Sequence, residues 1–228
     1  MEIIQKTKEG IMLVNKPIGI TSHDVVDVVR KRLKMKKVGH AGTLDPMAEG
    51  LLVMLIGKST KLFPKFVGFD KEYLGVLKLG EVTTTGDSQG NLVRQAEYSS
   101  LSKEEIEKAF SLFEGDIDQV PPMVSALRVE GKRLYRLARQ GIVVERKARQ
   151  IKIYSLKILK VTIPLVEFYV KCSKGTYVRK LAEDIGEKLA CGGHMIKIQR
   201  LSIGPFKLED AVNLDDIDES HLQKFTCQ

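Results

Sequence analysis

Gly39-His40-Ala41-Gly42-Thr43-Leu44-Asp45-Pro46-Met47-Ala48-Glu49-Gly50, followed by Leu51-Leu52-Val53-Met54-Leu55-Ile56, is the stretch on which the organisation of this chain turns. The apolar run is six residues long and lies between Gly50 and Gly57. It is far short of the roughly 20 residues that span a bilayer, and its unbroken apolar character predicts a buried strand. The segment Gly39 to Pro46 before it reads as a loop. Its glycines permit close backbone approach, and Pro46 biases Asp45 away from helical geometry, which fixes a carboxylate beside a buried strand. An Asp in such a turn commonly serves as a local cap, so the pattern alone leaves a structural role open.

Upstream, Ile11 to Val14 predicts a short buried strand and Asn15 to Gly19 a turn. A helix follows, with Ser22 as its expected N-cap and Val25, Val26, Val29 and Leu33 on one stripe. Downstream, Lys71 to Leu79 alternates as a strand does, and Ser102 with Glu105 forms a capping box ahead of Ile106, Ala109, Phe110 and Phe113. Val120-Pro121-Pro122 cannot continue that helix. Leu134 to Gln140 predicts a short basic helix, and β-branched stretches predict strands at 142–144, 151–163 and 165–171. Thr176 is expected to cap a further helix with the stripe Val178, Leu181, Ala182, Ile185 and Leu189, stopped by Gly192-Gly193 before a last strand around Met195 to Ile203. Helices and strands mix without strict βαβ alternation. The expected class is therefore α+β, with a mixed, largely antiparallel sheet flanked by helices. No repeat or linker is visible, so the 228 residues are expected to form one domain.

Composition narrows the function classes. With 43% hydrophobic and 29% charged residues the chain is neither disordered, collagen-like nor coiled-coil. Cys172, Cys191 and Cys227 are too scattered for a disulfide framework or a metal knuckle and are expected to be reduced. No secretory signal is readable at the N-terminus, so the expected compartment is the cytoplasm. Thirty-seven Lys and Arg against 29 Asp and Glu give a net charge of +8, and the pI of about 9.3 suits a polyanionic partner. The surplus is concentrated. Residues 30–37 hold six bases and no acid, residues 128–152 hold nine bases against Glu130 and Glu145, and Glu209 to Glu219 holds six acids and no base.

A second stretch, Cys172-Ser173-Lys174-Gly175-Thr176-Tyr177-Val178-Arg179, runs from a strand into a helix. Arg179 lies in the first turn, where a cation opposes the helix dipole unless a carboxylate or phosphate compensates it. Snorkelling into solvent is the alternative. Together with NKPIGITSH at 15–23, GHAGTLDPMAEGLL at 39–52, VPPMVSALRVEGKRLYRLARQG at 120–141 and the trailing RLSIGPF at 200–206, this block resembles the TruB family of tRNA pseudouridine synthases. The blocks agree in order, and the resemblance runs from about Ile11 to Ala211.

The resemblance implies a pseudouridine synthase fold and assigns roles by position. Asp45 matches the catalytic aspartate and Arg179 the arginine that pairs with it, an arrangement that favours the charged carboxylate. Tyr73 matches the tyrosine that stacks on the target uracil and is placed for proton transfer. Leu201 matches an apolar wall of the pocket, and His40 a histidine that supports the RNA once the uridine is flipped out. Lys16, with Pro17, matches the first motif and counts among the substrate-side candidates, with packing around the active-site loop as its expected contribution. Tyr73 and Leu201 also fit a core, and His40 a turn. Ala41 stands where the family often has threonine. Relatives commonly continue into an RNA-binding PUA domain, which is expected here to be absent or a remnant.

The implied reaction is isomerisation of uridine 55 in the tRNA T loop. It breaks the N1–C1′ bond, turns the uracil and forms C5–C1′ with all atoms retained, so neither cofactor nor metal is expected. The target nucleotide must leave the stack, at a cost of a few kcal/mol that stacking would offset. Whether Asp45 attacks C6, attacks C1′ or acts as a base stays open. The expected partner is the T-arm of tRNA, with no membrane, and the chain is expected to act as a monomer. A guide-RNA-dependent synthase subunit and a non-catalytic tRNA-folding chaperone are the alternatives. A hydrolytic glycosidase would want a second carboxylate that these motifs do not supply.

Overall fold

The computed structural model describes residues 8–125, 127–129 and 131–225. Cys227 lies outside them. The chain folds as two compact units, one built from the stretch up to Lys71 together with that from Gln199 onward, the other from Glu72 to Ile198.

The first unit opens with β1 (Gly10–Lys16), α1 (Ser22–Leu33), β2 (Val38–Ala41), β3 (Ala48–Ile56) and the short helix α2 (Phe63–Val67). β1 pairs antiparallel with β3, Val14 opposite Leu52, and β2 pairs antiparallel with β3 from its other side of the register, His40 opposite Met54. Alternation along β1 and β3 divides their side chains between two cores. Met12, Val14, Leu52, Met54 and Ile56 meet the α1 stripe of Val25, Val26, Val29 and Leu33. Ile11, Leu13, Leu51, Val53 and Leu55 face Phe66 and Ile203 instead. The expected buried strand is thus covered on both faces, which its unbroken apolar run reflects.

The second unit continues with β4 (Lys71–Leu79), β5 (Glu81–Thr83), β6 (Leu92–Gln95), α3 (Lys103–Ser111), β7 (Gly115–Gln119), the small hairpin β8 (Arg128–Val129) and β9 (Lys132–Arg133), α4 (Leu134–Arg139), β10 (Arg149–Thr162), β11 (Leu165–Cys172) and α5 (Val178–Lys188). β10 runs antiparallel to both β11 and β7. Alternation in β4 is complete, with Tyr73, Gly75, Leu77 and Leu79 buried and the residues between them half-exposed. Gly75 has no room for a side chain, since a Cβ there would lie 2.7 Å from Phe168 and 2.8 Å from Met195. Phe168 in turn meets Phe110 of α3 edge-on at 5.7 Å between ring centroids. β12 (Gly193–Ile203) then leads the chain back to the first unit, where β13 (Phe206–Lys207) pairs antiparallel with its end and β14 (Val212–Asn213) runs parallel to β1. The sheet is therefore mixed and the class α+β, with helices flanking it.

Most elements fall where expected, and the differences have physical causes. The loop expected from Gly39 begins later, because Val38–Ala41 pairs with β3. The N-cap of α1 is Thr21 rather than Ser22: Thr21 and Asp24 form the capping box, and the Ser22 hydroxyl is engaged elsewhere. Thr176 does not cap α5. Its hydroxyl donates to the Ser173 carbonyl, Tyr177 is the N-cap residue, and no side chain caps that end. No strand forms at 142–144, where Ile142 and Val143 are 46% and 78% exposed and lack a pairing strand. Cys172 and Cys191 are buried and form no disulfide among the described residues. No described helix is long and apolar enough to cross a membrane.

Candidate active site

The backbone around Asp45 is held residue by residue. Arg200, buried in β12, donates from Nη2 to the Gly42 carbonyl at 3.0 Å, from Nη1 to the Thr43 carbonyl at a longer 3.5 Å, and from Nε to the Leu51 carbonyl at 2.8 Å. The Ser22 hydroxyl accepts from the Leu44 N–H at 2.8 Å and donates to the Leu44 carbonyl at 3.0 Å. The Asp45 carbonyl accepts from Ala48 N–H, and the Pro46 carbonyl from Gly19 N–H at 2.8 Å. Every carbonyl from Gly42 to Pro46 thus has a donor. Leu44 and Met47 are buried on either side while Asp45 remains partly exposed, so the loop is anchored by its neighbours. Gly50, at φ +105°, lets β3 approach Arg200, whose backbone occupies the space a Cβ would need.

Lys16 is wholly buried, and its ammonium donates to the carbonyls of Pro17 at 2.8 Å and Ile20 at 2.7 Å. Burial pushes it down to about 8; the charge of Asp45 opposes that shift and that of Arg200 adds to it. This lysine ties down the turn before α1. His40 points from β2, and its Nδ1 is buried without a hydrogen-bond partner. Burial, then the nearby charges of Arg200 and His23, lower its pKa to about 4, so the ring is neutral near pH 7. Leu201 follows Arg200 and is half-buried. Asp45, Lys16, His40 and Leu201 all belong to the first unit.

Tyr73 and Arg179 belong to the second. Tyr73 lies on the buried face of β4, 8% exposed. Arg179 is 3% exposed in the first turn of α5, and its guanidinium donates to the carbonyls of Thr85 at 2.6 Å and Val124 at 2.9 Å. Nη1 also lies 3.5 Å from Oδ2 of Asp87, itself buried. The other oxygen of Asp87 accepts from the Thr85 hydroxyl at 2.6 Å and the Gln89 N–H at 3.0 Å. An arginine buried at a helix N-terminus is thereby compensated within its own unit. The N-terminus of α5 is held further by Gln119, whose amide exchanges two hydrogen bonds with the backbone of Tyr177 at 2.8 and 3.1 Å.

Asp87, Thr85 and Gln119 were not singled out by sequence reasoning, nor was Ser22 as a support for the loop. Asp87 sits in TTTGDSQG, where Gly86 and Gly90 mark a turn and nothing marks a partner for the carboxylate. Gly86, at φ +71°, packs so closely on Glu183 that a Cβ would collide with that carboxylate.

Comparison with known proteins agrees with this architecture. A model of the TruB family pseudouridylate synthase N-terminal domain matches residues 30–178, and a model of the tRNA pseudouridylate synthase B C-terminal domain matches residues 179–225. The chain is 47% identical to a tRNA pseudouridine synthase B of Clostridium tetani, over 95% of this chain and 75% of that protein. It is 44% identical to one of Opitutus terrae, over 95% of this chain and 90% of that protein. Among solved structures, a chain in a Cbf5-Nop10-Gar1 complex superposes with a TM-score of 0.72 at 31% identity, covering 91% of this chain and 53% of the other. A chain in an H/ACA RNP bound to a substrate RNA containing 2′-deoxyuridine gives 0.67 at 29%, covering 91% and 51%. This chain spans about half the length of each of those two.

Proposed function

This chain belongs to the TruB family of pseudouridylate synthases, and from that premise we propose that it isomerises uridine 55 in the T loop of tRNA to pseudouridine. It is a tRNA pseudouridine synthase, an isomerase. The observation that carries the reading is the GTLDP loop, in which a partly exposed aspartate sits on a backbone hydrogen-bonded at every carbonyl from Gly42 to Pro46. Preorganised geometry of this kind is what lets one carboxylate act at a reacting centre without first being ordered.

In this proposal Asp45 carries the chemistry on the flipped nucleotide, as nucleophile or base, while the N1–C1′ bond breaks, the uracil turns and C5–C1′ forms. The hydrogen on C5 is lost to a base and N1 gains one, so the sum of atoms is unchanged. Tyr73 stacks on the uracil and Leu201 walls the pocket. Arg179 stands at the position of the family's arginine, its orientation set by Asp87, Thr85 and Val124. His40, neutral near pH 7, supports the RNA at the place the uridine has left. We assign the chain to the cytoplasm, acting as a monomer on the T-arm.

The identity of 44–49% to curated tRNA pseudouridine synthases B, against 27–31% to chains solved in complexes with Nop10, supports a tRNA enzyme over an assembly subunit. The test is to incubate the purified protein with unmodified tRNA and map pseudouridine. Product at position 55 without added guide RNA is expected; its absence there, or a requirement for guide RNA, overturns the proposal.

A further inference from the structure

Two buried polar side chains converge on the backbone immediately before Asp45. Ser22 is 2% exposed and exchanges two hydrogen bonds, one donated and one accepted, with the peptide groups of Leu44. Its position in the helix does not call for this hydroxyl, since Thr21 and Asp24 already form the capping box of α1. Arg200 is 1% exposed and spreads its guanidinium over the carbonyls of Gly42, Thr43 and Leu51. A guanidinium so buried is costly unless its donors are satisfied, and these carbonyls lie on both sides of Asp45 in sequence. The two groups thus grip adjacent peptides from α1 and β12, elements contributed by opposite ends of the chain.

We propose that Ser22 and Arg200 are positioning residues that fix the Asp45 carboxylate for reaction. The proposal rests on the reading of Asp45 as the catalytic group. Leu44 is anchored by its buried side chain, so once its peptide groups lose Ser22 the rotation falls on the bonds leading into Asp45, and the carboxylate swings. A displacement of about 1 Å at a reacting group lowers a rate by about a hundredfold. The effect belongs in the chemical step, because neither residue is exposed enough to meet RNA.

The experiment uses the full chain as wild type, Ser22→Ala, Ser22→Thr, Arg200→Lys, Asp45→Asn and Val29→Ala, the last a core variant on α1 away from the loop. For each, the single-turnover rate of pseudouridine formation under saturating enzyme, the tRNA affinity and the Tm are measured. Ser22→Ala is expected to slow the rate about thirty- to a hundredfold with affinity within about twofold of wild type. Ser22→Thr, which keeps the hydroxyl, is expected to recover to within about fivefold, and Val29→Ala, which lowers the Tm through the core alone, to stay within about twofold. Arg200→Lys, which keeps the charge but not the fork, is expected to be slowed about tenfold or more and supplies the test if Ser22→Ala does not fold. If Ser22→Ala and Arg200→Lys lose no more rate than Val29→Ala while Asp45→Asn is inactive, the clamp is overturned and the reading of Asp45 stands. If Asp45→Asn matches wild type, that reading falls and the clamp with it.

Discussion

Lys16 and Arg200 in the first unit, and Lys132, Arg133, Arg136 and Arg139 in the second, are the same residue types put to opposite uses. The first two are buried and aimed at backbone carbonyls, Lys16 at those of the turn before α1 and Arg200 at those flanking Asp45. The other four are exposed around α4, where Lys132, Arg133 and Arg136 line an open depression with Leu137 and Gln140, and Arg139 lies over the Tyr135 ring at 5.6 Å. A net charge of +8 therefore describes two populations. Buried cations organise the site by satisfying oxygens that water cannot reach. Exposed cations keep their charge available to a polyanion and release counterions when it binds. Substituting one kind should alter stability and rate; substituting the other should alter affinity and its salt dependence.

The largest effect is expected at a third buried cation, Arg179. Replacing it by Ala strands the Asp87 carboxylate and two carbonyls in the interior, and should lower stability by about 3–5 kcal/mol in chemical denaturation, together with a severe loss of activity. A loss of under about 1 kcal/mol would place Arg179 among the dispensable surface charges instead. Lys16 gives a window in pH. Its value is about 8 in the fold against an ordinary 10.5, so between those limits the unfolded chain binds more protons, and this lysine's contribution to stability rises with pH. The stability of wild type relative to Lys16→Met should increase by about 3 kcal/mol from pH 8 to 10.5 and stay level below pH 8. A flat difference across the window would show that Lys16 is not desolvated.

The exposed set is expected to give the smallest change at fixed salt. Arg133, Arg136 and Arg139 replaced together by Gln should weaken tRNA binding about tenfold at moderate salt, flatten the slope of log affinity against log salt by up to about three, and leave the saturated single-turnover rate unchanged. An unaltered salt slope would remove this face from the RNA contact.

The contrast between the two populations also explains what the sequence reveals. Six uninterrupted apolar residues from Leu51 to Ile56 announce a strand because burial on two faces leaves no other composition open to them. The stripes of α1 and α3 are read for the same reason, since each is set by local periodicity. Ser22 illustrates the limit. Its residue type marks the right helix end, but whether Thr21 or Ser22 caps depends on Leu44 standing opposite, which no local pattern records. Asp87 lies 92 residues from Arg179, in a turn without hydrophobic period, so neither propensity nor spacing connects them. Asp45 is legible through its proline and glycine neighbours and its family resemblance; the groups that hold its loop are not, because backbone carbonyls carry no residue identity. Val143 shows the converse, a β-branched residue in an expected strand that has no partner to pair with and remains exposed.

The central claim is that one carboxylate, Asp45, performs the isomerisation on a loop held in place for it. Asp45→Asn keeps the side chain's shape and removes its charge, and mapping pseudouridine at position 55 of tRNA under saturating enzyme reads the consequence directly. The account predicts product formation below about one per cent of wild type, with tRNA affinity within about threefold and the fold unchanged. Turnover near the wild-type rate in that variant would contradict it.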